Sequence, residues 1–140
     1  IIEKKGAKKL ENLLEGLKNA DFVSLHVPLT NKTKNLINLN NLKKMKKTAI
    51  IINTSRGGVV NELDLNKALN ENIIFGAGID VFEQEPVNKK NPLIKNNRVL
   101  LSPHSATFTN ECKIRMAKNT IQNIIDFFEN KLDNSMIVKL

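Results

Sequence analysis

The stretch that decides the fold is TAIIINTSRGG, residues 48–58. Residues 48–54 show no alternation of apolar and polar side chains, so they predict a strand that is apolar on both faces. Strands of this kind lie inside parallel sheets that are covered by helices. The run ends among small residues around Arg56, although nearly all other cations of this chain are lysines. A guanidinium at a strand end indicates either a fork for a carboxylate ligand or an ion pair with a sheet-edge aspartate.

Strands and helices alternate on both sides of this stretch. Short apolar runs predict further strands at residues 21–26, 76–81 and 98–102. Helical spacing predicts helices over residues 8–18 and after the candidate N-caps Asn38, Asn61 and Thr109. The alternation predicts an α/β fold, a Rossmann-like doubly wound parallel sheet with helices on both sides.

Composition limits the classes of protein that this chain can be. With 140 residues, 41% apolar and 26% charged, it predicts a soluble globular domain. Because it has no apolar run of about 20 residues and no secretory signal, we expect a cytoplasmic protein with no membrane contact. One cysteine and two histidines predict no disulfide and no metal site. The net charge of +8 comes from scattered lysines, and no Tyr or Trp is present, so we expect no nucleic-acid partner.

Polar residues follow all four predicted strands, at the edge where ligands bind in open parallel sheets. Polar residues also resume at strand ends for purely structural reasons, so the clustering alone does not establish a site. The residues at this edge are His26 and Pro28, then Thr54, Ser55 and Arg56, then Asp80, Glu83 and Glu85, and finally Pro103 and His104.

His104 is the candidate proton donor. It follows a proline in a short loop, and an imidazole exchanges protons near neutral pH. The alternative is an ordinary surface histidine. A carboxylate within hydrogen-bond distance would fix its tautomer and favour the imidazolium. Glu83 and Glu85 are both candidates, and we favour Glu85 because Pro86 restricts its backbone.

Four separated motifs agree in type and order with one known family. They are ADFVSLHVPLTNKT (20–33), MKKTAIIINTSRGGVVNE (45–62), GAGIDVFEQEP (76–86) and NPLIKNNRVLLSPHSATFT (91–109). They resemble the nicotinamide-binding domain of the D-isomer-specific 2-hydroxyacid dehydrogenases, and the resemblance extends over about residues 8–132. It implies an oxidoreductase that transfers a hydride between NAD(P)H and a 2-keto acid or D-2-hydroxy acid.

The resemblance also implies roles for individual residues. Arg56 would bind the substrate carboxylate, His104 would act as acid and base on the substrate oxygen, and Glu85 would hydrogen-bond His104. NAD is the implied cofactor, with NADP not excluded, and a homodimer is implied for the full-length protein. The implied cofactor contacts are Val27, Pro28, Thr54, Ser55, Arg56, Asp80, His104, Ser105 and Ala106.

The glycine-rich turn of this family, G-x-G-x-x-G, is not found in the 140 residues. In relatives it lies upstream, so we expect residues 1–132 to be the C-terminal portion of an NAD(P)-binding domain that lacks its N-terminal βαβ unit. Residues 133–140 would return toward an absent substrate domain. We expect the isolated chain to bind NADH weakly and to turn over little. The alternative is a noncatalytic fragment or a corepressor-like binding protein of the same fold.

Some residues are given ordinary packing roles. We expect Met45, Met116 and Met136 to fill the core, and Cys112 to be a buried small apolar residue. Phe108 is a candidate for substrate contact, with a core or lid position as the alternative.

Overall fold

A computed structural model of the chain describes residues 6–137. The described chain falls into two compact units that divide after His104. In the first unit the strands are β1 (Phe22–Leu25), β2 (Ile50–Asn53), β3 (Gly76–Ile79) and β4 (Val99–Leu101), and the helices are α1 (Leu13–Asn19), α2 (Leu39–Leu42) and α3 (Glu62–Asn70). The second unit contains α4 (Asn110–Phe128) and a 3-10 turn, Asn134–Met136.

The four strands form one parallel sheet in the order β1-β2-β3-β4, so the predicted α/β class is confirmed. Val23, Ile51, Ala77 and Val99 are paired side by side across the sheet. Each strand is shorter than its apolar run because the ladder ends where the chain turns into a loop. The predicted boundary at residue 132 stays a prediction, and residues 138–140 of the predicted tail lie outside the described residues.

The predicted helix starts follow from capping chemistry. Asn38, Asn61 and Thr109 each accept a hydrogen bond from a backbone N–H in the first turn of the helix that follows, which confirms all three caps. The helix predicted over residues 8–18 begins later, at Leu13. Asn12 is the reason, because its side chain caps α1 and its own backbone is extended.

Only one face of the sheet is covered by helices within the first unit. Consecutive neighbours joined by right-handed crossovers place their connections on the same side of a sheet. Leu25 and Ile51 on that side are buried, whereas Phe22 and Leu100 on the other side are 68% and 80% exposed. The largest fully buried side chains are Leu17, Ile37, Leu42, Ile51, Leu65, Leu69, Ile74 and Leu93, with Val59, Val81 and Asn53.

The second unit exposes the apolar side chains that the sequence pattern groups into a stripe. No described residue of α4 is buried, and Met116 and Met136 are 57% and 62% exposed. Their prediction as core residues was therefore wrong, and Cys112 is only partly buried. Met45 does lie in the core, and Phe108 is exposed. None of the helices described in residues 6–137 combines the length and apolar composition needed to cross a membrane.

Candidate active site

The loops that follow β1 and β2 enclose a cleft of about 340 Å³, lined by His26, Val27, Pro28, Thr54, Ser55 and Arg56. Thr33 fixes the first loop, because its hydroxyl donates to the Pro28 carbonyl at 2.6 Å and accepts the Thr30 N–H at 2.8 Å. His26 is exposed, and its Nε2 lies 2.8 Å from the Ser24 hydroxyl oxygen. The cleft thus lies at the carboxyl ends of two parallel strands, where such sheets bind ligands.

A buried amide shapes the turn that carries Arg56. Asn53 is only 2% exposed, and its side-chain oxygen accepts from the Ser55 N–H at 3.1 Å and the Ser55 hydroxyl at 2.8 Å. Its side-chain nitrogen donates to the Arg56 carbonyl at 3.0 Å. Arg56 itself is exposed, and its Nη1 donates to the Ser55 carbonyl at 2.6 Å. The guanidinium therefore stands at the cleft on a turn whose polar groups are paired.

Gly57 brings this turn against the loop after β3. A Cβ at this position would lie 1.8 Å from the Phe82 carbonyl oxygen and 2.6 Å from the Glu83 nitrogen. The neighbour that requires glycine here is therefore protein backbone and not a ligand. Gly58 is needed for a different reason, because its φ of +77° lies in the left-handed region.

Glu85 and His104 form a hydrogen-bonded pair in the first unit. His104 Nδ1 lies 2.8 Å from one Glu85 oxygen, and the other accepts the Phe82 N–H at 2.9 Å. The hydrogen bond with His104, followed by that from Phe82, lowers the pKa of Glu85 from its ordinary 4.5. The His104 backbone has a φ of 51°, a left-handed conformation that costs an L-residue about 1–2 kcal/mol.

Asp80 joins the ends of the last three strands. Its N–H donates to the Asn53 carbonyl at 3.0 Å, and its carbonyl accepts the His104 N–H at 2.8 Å. The carboxylate, in a residue only 2% exposed, accepts from the Ser102 hydroxyl at 2.5 Å. The backbone of β3 therefore links the Arg56 turn to the His104 loop.

The structure distinguishes the two candidate partners of His104. Glu83 faces α3, where its side chain accepts the Glu62 N–H at 3.3 Å and its own N–H donates to Glu62 at 2.6 Å. Glu85 alone of the two contacts the imidazole. Ser105 and Ala106 belong to the second unit, where the Ser105 carbonyl accepts the Phe108 N–H at 2.8 Å.

Two functional candidates were missed by reasoning from the sequence. Asn53 shares the buried side of β2 with Ile51, and a polar group at such a position signals a need for partners. Ser102 gave no comparable signal, because a serine that ends a strand is common. Within residues 6–137, no group of three or more His, Cys, Asp or Glu side chains could hold a metal ion.

The sequence matches a family of known proteins. A family model described as D-isomer specific 2-hydroxyacid dehydrogenase, NAD binding domain, matches residues 2–106. The chain belongs to this family. The glyoxylate reductase of Korarchaeum cryptofilum (strain OPF8) is 48% identical over 128 residues, which cover 91% of this chain and 38% of that protein.

Solved structures of other enzymes share the fold. The NAD complex of the D-isomer specific 2-hydroxyacid dehydrogenase from Lactobacillus delbrueckii ssp. bulgaricus has a TM-score of 0.78 at 31% identity, covering 91% of this chain and 42% of that one. An acyclic imino acid reductase, Bsp5, in complex with NADPH and D-Arg has a TM-score of 0.81 at 31% identity, covering 92% and 43%. The chain thus spans about two fifths of the length of these dehydrogenase relatives.

Proposed function

We propose that this protein is the catalytic part of an NAD(P)-dependent oxidoreductase that interconverts 2-keto acids and D-2-hydroxy acids. The observation that carries the proposal is the Glu85–His104 hydrogen bond at the same sheet edge as Arg56. β3 separates the strands that precede Arg56 and His104, so their ends lie roughly 10 Å apart. A small molecule held by two long side chains spans such a distance.

The residues present suit the nicotinamide end of a dinucleotide. The 340 Å³ cleft between two strand ends offers exposed Thr54 and Pro28 and half-buried Val27 and Ser55 as its walls. We propose that these residues, with Asp80, His104, Ser105 and Ala106, hold NAD or NADP. When bound, the cofactor supplies or accepts the hydride at carbon 2 of the substrate. The pyrophosphate has no glycine-rich turn within these 140 residues, so we expect its main site elsewhere.

Arg56 and His104 have different roles toward the substrate: Arg56 binds its carboxylate and His104 transfers a proton. The planar fork of Arg56 binds the substrate carboxylate and thereby fixes which face of carbon 2 is presented. During reduction, protonated His104 donates its Nε2 proton to the oxygen on carbon 2, and it takes that proton back during oxidation. Glu85 holds Nδ1, so it orients the ring and stabilises the imidazolium. The negative charge that would develop on the substrate oxygen is thus neutralised as it forms.

The proposal extends to the surroundings of the site. Residues 1–132 would be the C-terminal portion of the NAD(P)-binding domain, and residues 133–140 would lead toward a substrate domain; coverage of only 38% of a close relative supports this. We also propose a cytoplasmic location, and a homodimer for the full-length protein; the exposed apolar side chains along α4 support the homodimer. Scattered lysines support the absence of a nucleic-acid partner.

The test compares the complete polypeptide encoded by the reading frame with the 140-residue chain alone. Reduction of glyoxylate, hydroxypyruvate and pyruvate is followed by loss of NADH or NADPH absorbance. We expect turnover by the complete polypeptide, together with weak NADH binding and little turnover by the chain alone. Absence of any 2-keto acid reduction by the complete polypeptide would refute the proposed function, and efficient turnover by the chain alone would refute the proposed division of the site.

A further inference from the structure

The buried amide of Asn53 lies beneath the proposed carboxylate fork and contacts neither cleft nor solvent. A strand position on the covered side of the sheet normally takes an apolar residue, as Ile51 does two positions earlier. An amide at 2% exposure is tolerated only when its donor and acceptor are satisfied. All three side-chain hydrogen bonds of Asn53 go to the two residues Ser55 and Arg56.

These bonds fix the position of the backbone from which the Arg56 side chain extends. The Arg56 carbonyl accepts a hydrogen bond from the Asn53 side-chain nitrogen at 3.0 Å. Ser55 is held at its N–H and its hydroxyl by the Asn53 oxygen, and its carbonyl accepts the Arg56 Nη1 at 2.6 Å. The polar groups of Ser55 therefore either donate to the Asn53 oxygen or accept from the Arg56 guanidinium. The Asn53 carbonyl also accepts the Asp80 N–H, and this hydrogen bond anchors the turn to β3.

We propose that Asn53 is a positioning residue for Arg56, setting the direction of the guanidinium that binds the substrate carboxylate. The proposal rests on the proposed function for its consequence in catalysis, but the positioning itself is a property of the chain. A displacement of about 1 Å in a group that orients substrate can reduce the rate on the order of 10²-fold. The loss of one amide donor is sufficient to release the Arg56 carbonyl from its partner.

Asn38 provides a matched control. Its side-chain oxygen also accepts two hydrogen bonds, here from the Asn40 and Asn41 N–H groups at 3.0 and 3.3 Å, and its nitrogen also donates to a carbonyl, that of Asn35 at 3.2 Å. It caps α2 and does not line the cleft. Asn38→Asp and Asn53→Asp therefore each remove an amide donor to a backbone carbonyl, and only Asn53 is next to Arg56.

The first experiment measures kcat/KM of the complete enzyme for pyruvate and for pyruvamide, which lacks the carboxylate charge. We expect Asn53→Asp to raise KM for pyruvate and to lower its kcat/KM by ten-fold or more, with a much smaller loss for pyruvamide. Asn38→Asp should leave the ratio of the two substrates unchanged. If Asn53→Asp lowers kcat/KM by the same factor for both substrates, or for neither, the positioning role is wrong.

The second experiment uses the 140-residue chain and does not depend on activity. The guanidinium NMR signals of Arg56 report whether Nη1 remains bonded to the Ser55 carbonyl. We expect Asn53→Asp to lose that restraint and Asn38→Asp to keep it; a restrained Arg56 in Asn53→Asp overturns the inference even if the enzyme reduces no 2-keto acid. Asn53→Ser, which adds no buried charge and is too short to reach the Arg56 carbonyl, replaces Asn53→Asp if the latter fails to fold.

Discussion

Gly57 is the position at which a single added methyl group should do the most damage to the candidate site. In Gly57→Ala the new Cβ would lie 1.8 Å from the Phe82 carbonyl oxygen and 2.0 Å from its carbonyl carbon. The first separation falls about 1.7 Å short of the roughly 3.5 Å at which non-bonded atoms normally meet. Because both atoms belong to the backbone, no side-chain rotation relieves the overlap, and the loop after β3 must move away.

That movement has an energetic and a chemical consequence. Overpacking typically costs about 1–3 kcal/mol, and a clash with backbone lies toward the upper end. Phe82 also donates its N–H to Glu85 at 2.9 Å, and this bond helps to keep the pKa of Glu85 low. We therefore expect Gly57→Ala to lower the free energy of unfolding by about 3 kcal/mol and to raise the pKa of Glu85 toward its ordinary value.

Two other glycines make the comparison quantitative. In Gly78→Ala the nearest atoms are side-chain carbons of Ile52 at 3.8 and 3.9 Å, so the cost should stay below about 1 kcal/mol. Gly58→Ala should cost about 1–2 kcal/mol through its φ of +77°, without changing Glu85. Urea unfolding of the 140-residue chain measures the stabilities, and the carboxyl carbon shift of Glu85 measures its pKa. Equal stability of Gly57→Ala and Gly78→Ala, with the pKa of Glu85 unchanged, would refute this reasoning.

Three further predictions concern the proposed catalytic groups. His104→Asn should lower kcat of the complete enzyme on the order of 10²–10⁴-fold while the chain stays folded, because asparagine also tolerates a positive φ; unchanged kcat would remove His104 from the chemistry. Arg56→Lys keeps the charge but not the two-pronged geometry, so KM for pyruvate should rise by a larger factor than KM for NADH; equal effects on both would contradict a carboxylate fork. Glu85→Gln should reduce stability slightly at pH 7, since a lowered pKa stabilises the fold above about pH 4.5, and the wild-type advantage should vanish as pH falls through the folded-state pKa of Glu85. The Glu85 side chain is 37% exposed, so solvent screens this contribution and the expected effect is small. Urea unfolding of the wild type and the variant at pH values from about 3 to about 7 measures the effect. A difference in stability that stayed constant over this range would contradict the prediction.

The sequence predicted the strands and caps because both are decided locally. An uninterrupted apolar run such as that of residues 49–52 has few alternatives to a buried parallel strand. The caps at Asn61 and Thr109 were equally clear, since a side-chain oxygen there completes an otherwise unpaired first turn. The start of α1 was missed because helical spacing extends to Leu10, while the cap at Asn12 decides where the backbone turns.

Burial along α4 was not decided locally. Its apolar spacing predicts a covered face, yet Ile114 and Ile121 are 57% and 60% exposed and Met116 is no core residue. An amphipathic pattern shows that a helix has a side that favours contact, but it does not identify what supplies that contact. Periodicity therefore predicted the helix correctly and the environment of its methionines incorrectly.

The parallel sheet determines the geometry of the candidate site more than the loops do. Hydrogen bonds from the Asp80 N–H to Asn53 and from the His104 N–H to Asp80 extend the pairing of β2, β3 and β4 past the ends of their ladders. The turn with Arg56 and the loop with His104 are consequently held by the same three strands. Glu85 is exposed, and its loop is positioned by contact with Gly57, by the hydrogen bonds between Glu83 and Glu62, and by the Phe82 N–H that donates to Glu85. Substitutions that weaken this loop should therefore disturb proton transfer while carboxylate binding persists, whereas substitutions at Asn53 should do the reverse.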